Sequence, residues 1–276
     1  MKDKLIKVLI PTDFSVQSEF AYQMVKNLSK RSNMEVTFLH VLNVPDTVSL
    51  NKDKEIVTCG EIDIDYVRTQ YEMALNKLDD INRKNEGVNT DIVFGSTTSQ
   101  ITSYAENNKF DLIALGNKGS SGLAERFIGT EAQHVARHST VPVITLMCDR
   151  ANLELKNILL VHNFEENSEQ NLNLLKVFIK VFGSKLHLLQ IVKDGENESQ
   201  VKDNMRTFTK NNDLENYEMH LLHDSNVEEG VAHFDQMHDM DIVCIGTHGR
   251  GGILHKSSTE ALINHLYKPV ISYKIK

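Results

Sequence analysis

The 276-residue sequence has few of the features that mark non-globular or membrane proteins. Its four prolines and fourteen glycines argue against a collagen-like or low-complexity chain. No run approaches the roughly 18 consecutive apolar residues of a membrane span. The first apolar run is cut by Pro11 and Asp13, so it lacks the longer apolar region of a signal peptide. With 40% hydrophobic residues, we expect a globular chain with a buried core and no membrane segment.

Basic runs and cysteine pairs are also missing from the sequence. Thirty Lys and Arg residues against 38 Asp and Glu residues give a net charge of −8. This charge argues against nucleic acid or an anionic membrane surface as a partner. The three cysteines, Cys59, Cys148 and Cys244, lie far apart and form no C-x-x-C motif. Their sparse, odd count predicts a reducing, cytoplasmic location, and we interpret each as a small buried hydrophobe.

An internal repeat predicts two domains. KVLIPTDFS from Lys7 matches NILLVHNFE from Asn157 at an offset of 150 residues, and VTFLHVLN matches LHLLQIVK at the same offset. FDLIALGNKGSSG matches MDIVCIGTHGRGG at an offset of 130 residues, and VPVITL matches KPVISY at an offset of 127. We therefore predict one domain over residues 1–150 and a second over residues 151–276.

Each copy alternates short apolar runs with longer amphipathic stretches. The runs of the first copy are nearly continuous in Val, Ile and Leu, as in strands buried on both faces: Lys7–Pro11, Val36–Leu42, Asp91–Phe94, Leu112–Leu115 and Val143–Leu146. Helical spacing of apolar residues predicts helices between them: Phe20, Met24 and Leu28 after an N-cap at Ser15; Tyr71, Leu75 and Leu78; Ile101, Tyr104 and Ala105; and Thr130–Arg137. This order predicts an α/β fold with a parallel sheet and helices on both faces.

Two further segments give expectations about the edges of this fold. Pro45–Ile62 shows no clean period, so we expect a mobile excursion there. Pro142 and Pro269 each open the last strand of a copy. Because proline is tolerated at strand starts and edges, both last strands are predicted to lie at a sheet edge.

Residues suited to a phosphate-bearing ligand follow the strands of the first copy. In open parallel sheets, ligands bind beyond the carboxyl ends of the strands, where strand order reverses. The predicted site there consists of Pro11, Thr12, Asp13, Val41, Gly116, Gly119, Gly129 and Thr130. Glycine turns and a helix N-terminus present backbone amides to phosphate. Asp13 can accept a hydrogen bond from a ribose hydroxyl or base amine, and Val41 can cover a flat ring, so we expect a mononucleotide pocket.

The spacing Gly116-x2-Gly119-x9-Gly129-Thr130 resembles the G-x2-G-x9-G-[S/T] motif of nucleotide-binding members of the universal stress protein family. The resemblance covers nearly the whole chain as two tandem copies. It implies two tandem Rossmann-like (adenine nucleotide alpha hydrolase-like) domains, each a five-stranded parallel sheet with helices on both faces. It also implies ATP, or AMP or ADP, with or without Mg. By that resemblance Asp13 and Val41 face adenine and ribose, while the glycines and Thr130 line the phosphates.

Simpler interpretations of these residues stay open. Gly116 and Gly119 could be turn glycines of an empty loop, Asp13 could cap the first helix, and Val41 could be a core residue. The leading hypothesis is a stress-response protein that binds an adenine nucleotide in its N-terminal domain as a regulatory or sensing module. The alternatives are a structural or interaction module without nucleotide, and a slow ATP-hydrolysing enzyme. No nucleophile motif or acid–base pair indicates a dedicated enzyme, so we predict no catalytic residues.

The second copy departs from the motif. Asn163 replaces Asp13 and Glu165 replaces Ser15. The nine-residue spacing after Gly249 ends at Thr259 and not at a glycine, and if the three-residue deletion of this copy lies in this loop, Lys256–Ser257 takes the place of the Gly-Thr pair. A β-carbon then stands where a phosphate would approach, and a carboxylate adds negative charge near an anion site. We therefore predict that the second copy binds nucleotide weakly or not at all.

Nine of the twelve histidines lie in the second copy, which raises the question of a metal site. We considered His220, His223, His233 and His238 together. No cysteine or carboxylate completes a recognisable tetrahedral set with them. We interpret these histidines as structural or surface residues and predict no metal site.

The family resemblance also implies dimerisation through pairing of the last strands. In this chain Val143–Leu146 and Val270–Tyr273 could pair with each other. An intrachain pseudo-dimer would then cover two strand edges that otherwise need protection. Two chains could associate further as a homodimer, and the expected ligand is an adenine nucleotide.

Overall fold

A computed structural model describes residues 4–59, 64–117, 130–164, 172–193, 195–247, 262–263 and 266–274. Its first half contains β1 (Ile6–Pro11), α1 (Val16–Leu28), β2 (Met34–Leu42), β3 (Val48–Leu50), β4 (Ile56–Thr58), α2 (Asp65–Lys84), β5 (Asn89–Phe94), α3 (Thr97–Asn107), β6 (Leu112–Gly116), α4 (Thr130–His138) and β7 (Val143–Leu146). Its second half contains β8 (Asn157–Val161), α5 (Asn173–Phe182), β9 (Lys185–Val192), α6 (Glu198–Asn211), β10 (Tyr217–His223), α7 (Val227–His238), β11 (Ile242–Thr247) and β12 (Val270–Lys274).

Ten of these strands form one sheet, in the order β10-β9-β8-β11-β12-β7-β6-β1-β2-β5. The five strands of each half pair in parallel with one another. In the first half the chain moves outward from β1 to β2 and β5, then returns to the other side of β1 with β6 and β7. Strand order therefore reverses between β1 and β6. The α/β fold predicted from the repeat is confirmed.

The two halves meet where β7 pairs with β12 in antiparallel fashion. Ile271 lies opposite Ile144, Ser272 opposite Val143, and Val270 opposite Thr145. Each last strand is the edge of its own half, as Pro142 and Pro269 indicated, but the pairing places both at the centre of the ten-stranded sheet. The intrachain pairing of Val143–Leu146 with Val270–Tyr273 that the family resemblance implied is thus observed, and each edge covers the other.

Helices cover both faces of the sheet, and each face has one apolar core that runs through both halves. The first core includes side chains of α1, α2, α5 and α6, among them Met24 and Phe178. The second includes side chains of α3, α4 and α7, among them Ile101 and Phe234. Among the described residues, no helix combines the length and the apolar character that a membrane crossing requires.

Three sequence expectations need correction in detail. The buried stripe of α2 contains Ala74, whereas Leu75 is 37% exposed, so the helical phase lies one residue from the predicted one. Part of the segment expected to be a mobile excursion is a small antiparallel hairpin of β3 and β4, held by a hydrogen bond from the Tyr71 hydroxyl to the Lys54 carbonyl (3.0 Å). Of the cysteines, Cys244 is buried as expected, Cys148 is half-buried and Cys59 is exposed.

The seam between β7 and β12 should contribute strongly to stability. Ile144 is completely buried there, so we expect Ile144→Ala to lower the free energy of unfolding by about 2–5 kcal/mol. Val16 is 56% exposed, and Val16→Ala should change it by no more than about 0.5 kcal/mol. Urea denaturation followed by circular dichroism measures both variants. Equal losses would contradict this account of the seam.

Candidate functional site

A cavity of about 220 Å³ opens at the carboxyl ends of β1, β2 and β6. It lies where strand order reverses, the usual ligand position in open parallel sheets. The lining comes from these strand ends, from the turn before α1 and from the first turns of α3 and α4: Pro11, Thr12, Asp13, Ser15, Gln17, Ser18, Leu39, His40, Val41, Thr97, Ile101, Leu115, Gly116, Glu131 and Ala132.

The turn between β1 and α1 is fixed by short side-chain to backbone hydrogen bonds. The Phe14 amide donates to Thr12 Oγ1 and the Ser15 amide donates to Asp13 Oδ1, both at 3.0 Å. Phe14 adopts a left-handed conformation with φ of 65°. Ser15 occupies the N-cap position of α1, but its side chain makes no capping hydrogen bond. The Asp13 carboxylate therefore organises the turn and stays at the mouth of the cavity.

His40 forms part of the cavity wall on β2. Its Nδ1 lies 2.8 Å from the Thr12 carbonyl oxygen, so Nδ1–H donates to that oxygen. The centre of its ring lies 4.6 Å from the centre of the Phe14 ring. The Phe14 ring also contacts Lys77, whose Nζ lies 4.8 Å from the ring centre. Burial is the largest influence and lowers the pKa of His40, while the bond to Thr12 raises it less. The imidazole is therefore neutral at pH 7.

Gly116 lines the cavity for a reason that does not require a ligand. A Cβ at this position would lie 2.0 Å from the Gln17 carbonyl oxygen and 2.3 Å from the Gln17 carbonyl carbon. The first turn of α1 thus packs directly on the end of β6, and only glycine leaves room for it. The close approach of the Gln17 backbone therefore explains why a glycine stands at position 116 even without a ligand.

The cavity brings together five residues of the predicted site: Pro11, Thr12, Asp13, Val41 and Gly116. Gly119 and Gly129 lie outside the described residues. Thr130 begins α4, and the next two residues, Glu131 and Ala132, line the cavity. The sequence prediction of the site missed α3, which contributes Thr97 and Ile101 to the cavity wall.

The second half repeats the turn but not the cavity wall. Phe164, 150 residues after Phe14, has the same left-handed conformation with φ of 52°, and its amide donates to His162 Nδ1 at 2.8 Å. The buried His162 ring packs against Phe208 with 5.1 Å between ring centres. Ile191 Cδ1 would lie 2.4 Å from a Cβ at Gly230, so this side chain reaches the backbone of α7. Bulky side chains thus occupy the positions that border the cavity in the first half. Glu165 and Lys256–Ser257 lie outside the described residues.

Acid should weaken the fold through His40. The unfolded chain takes up a proton on this side chain near pH 6.5, whereas the folded chain does so only at lower pH because burial lowers the pKa. The free energy of unfolding should therefore fall as the pH drops below about 6.5, and less steeply in His40→Gln. Urea denaturation at about pH 7.5 and about pH 5.5 measures the difference. His134→Gln, an exposed control, should keep the parent slope, and a parent slope in His40→Gln would contradict the expectation.

Comparisons with known proteins agree with this architecture. The sequence profile of the universal stress protein family matches residues 6–146. The chain is 29% identical over 156 residues to a universal stress protein of Methanocaldococcus jannaschii, and the aligned region covers 51% of this chain and 93% of the relative. It is 29% identical over 143 residues to the universal stress protein YxiE of Bacillus subtilis, covering 50% and 96% of the two chains.

A solved structure extends the similarity of the fold to both halves. The universal stress protein of Archaeoglobus fulgidus superposes with a TM-score of 0.73 at 20% identity, over 97% of this chain and 98% of that chain. The family profile covers the part of the chain that contains the cavity. This chain belongs to the universal stress protein family.

Proposed function

We propose that the first domain, residues 1–150, binds an adenine nucleotide, ATP or the related AMP or ADP, and that the protein acts in the cytoplasm as a regulatory or sensing module of a stress response. The observation that carries this proposal is the cavity at the point where strand order reverses. It combines apolar walls, a carboxylate and the beginning of a helix. These are the three kinds of surface that a base, a ribose and a phosphate group require.

The described residues fit such a ligand group by group. Val41 and Ile101 supply apolar surface against which a purine can pack. Asp13 uses Oδ1 for the Ser15 amide, so Oδ2 is the oxygen that would accept from a ribose hydroxyl or base amine. The positive end of the α4 dipole begins at Thr130 and favours phosphate nearby. The spacing of Gly119 and Gly129 before this helix is the spacing of nucleotide-binding family members. Mg would be carried by the phosphates of the ligand.

We assign a binding role and not a dedicated catalytic one. His40 Nδ1 is held by the Thr12 carbonyl, and Glu131 accepts a hydrogen bond from the Thr98 hydroxyl. Both groups are thus engaged in positioning the cavity wall. Asp13 alone would not supply the positioned charge that phosphoryl transfer needs. Phosphate release from ATP above that of an Asp13→Asn protein would instead favour the slow ATPase.

The second domain, residues 151–276, is proposed to support the first without an equivalent nucleotide site. His162 and Ile191 occupy positions that correspond to Thr12 and Val41, and both are larger. The pairing of β7 with β12 supplies within one chain the contact that the family resemblance implied between two. One nucleotide per chain is the expected stoichiometry.

Isothermal titration of ATP into the full-length chain tests the proposal. Asp13→Asn keeps an oxygen for the Ser15 amide but replaces the other carboxylate oxygen with an NH₂ donor. Loss of a charged hydrogen bond worth about 1.5–3 kcal/mol predicts about 10- to 150-fold weaker binding.

The matched control uses the equivalent position of the second half. Asn163→Asp should leave both the affinity and the stoichiometry of the parent protein unchanged. Two sites of equal affinity in the parent chain, or unchanged affinity in Asp13→Asn, would overturn the assignment. Circular dichroism confirms that each variant is folded.

A further inference from the structure

Two histidines and a glutamate meet near the beginnings of β9 and β10, away from the cavity described above. β10 is the outermost strand of the second half. Glu218 on β10 lies opposite His187 on β9 in the strand register, and His220 follows two residues later on the same face of β10. The last turn of α7 covers them, with the Phe234 ring 4.8 Å from the His220 ring.

Three donor atoms of this cluster form a compact triangle. His187 Nδ1 lies 3.1 Å from His220 Nε2, and Glu218 Oε2 lies 3.8 Å from each of these nitrogens. A point equidistant from three atoms with these separations lies about 2.1 Å from each of them, which is the bond length of zinc to imidazole nitrogen or carboxylate oxygen. The three donor atoms are therefore close enough together for one small cation to contact all of them.

Neighbouring contacts orient the donor atoms toward the centre of this triangle. The His187 side chain is only 7% exposed, and its Nε2 is buried without a hydrogen-bond partner among the described residues. Its polar contacts are thus directed through Nδ1 toward the triangle. Lys185 Nζ binds Glu218 Oε1 at 2.5 Å, so the carboxylate turns Oε2 toward the histidines.

We propose that His187, His220 and Glu218 bind a divalent transition-metal ion of the zinc type. In the metal-bound form His187 carries its proton on Nε2 and His220 on Nδ1, so each facing nitrogen offers a lone pair. His238 is the next imidazole, with its ring centre 5.4 Å from that of His220. A tetrahedral site needs a fourth ligand, which His238 or a water molecule would supply. The ion would link the outermost strand to β9.

A histidine pair joined only by a hydrogen bond is the competing explanation, because 3.1 Å also suits that bond. The two explanations differ in what Glu218 does. In a hydrogen-bonded pair the carboxylate is a neighbour of the histidines and its charge is dispensable. In a metal site it is a ligand, and its neutral amide analogue would bind the ion much less well.

The test uses the full-length chain without a histidine tag, stripped of metal with a chelator. Zn²⁺ is titrated in competition with a chromophoric chelator, and Co²⁺ serves as a spectroscopic probe of tetrahedral coordination. We expect one Zn²⁺ per chain and a Co²⁺ visible absorption band. His220→Gln and Glu218→Gln should each weaken Zn²⁺ binding by at least about 10-fold and abolish the Co²⁺ band.

His223→Gln is the matched control, since His223 lies on the same strand and pairs with Glu198 at 3.2 Å. It should keep the parent affinity. The Glu218 side chain is 49% exposed, so Glu218→Gln keeps the test decisive even if His220→Gln does not fold. Absence of stoichiometric Zn²⁺ binding, parent affinity in Glu218→Gln, or an equal loss in His223→Gln would each overturn the proposal.

Discussion

Backbone hydrogen bonds between β7 and β12 join two five-stranded sheets that would otherwise each end in a row of unpaired amide and carbonyl groups. The last strands are short and buried, and their apolar side chains belong to the cores on the two faces of the sheet. Because both cores run through both halves, neither half can be considered separately from the other.

Within the first half, the close approach of α1 to β6 shapes the candidate nucleotide cavity. Gly116 lets the backbone of Gln17 come within contact distance of the strand end, and the turn before α1 is fixed by Thr12 and Asp13. The same residues that build the turn also border the cavity. A residue such as Asp13 can therefore serve the fold and a ligand at once, which is why its capping and binding interpretations are compatible.

The sequence was sufficient to predict five strands of the first half and a parallel sheet, because buried strands and an internal repeat leave strong patterns, whereas the pairing of the last strands was implied by the family resemblance. The sequence was less reliable for the exact position of the buried stripe on a helix, as on α2, where Ala74 and not Leu75 faces the core. The cluster of His187 and Glu218 could not be found, since these residues are 31 positions apart and only the register of β9 and β10 places them side by side. Spacing along the chain carries no information about that register.

The antiparallel junction determines which residues lie at each of the two rims of the sheet, where the strands begin and end. Strands of the second half run opposite to those of the first, so the rim that bears the cavity of the first half also bears the strand beginnings of the second. A dimer of identical copies would present the same groups on both rims. Here the halves have diverged, and the two rims differ: one carries Asp13 and the start of α4, and the other carries His162. The two rims of the molecule are therefore chemically different, so a partner that recognises one rim binds the molecule in a single orientation.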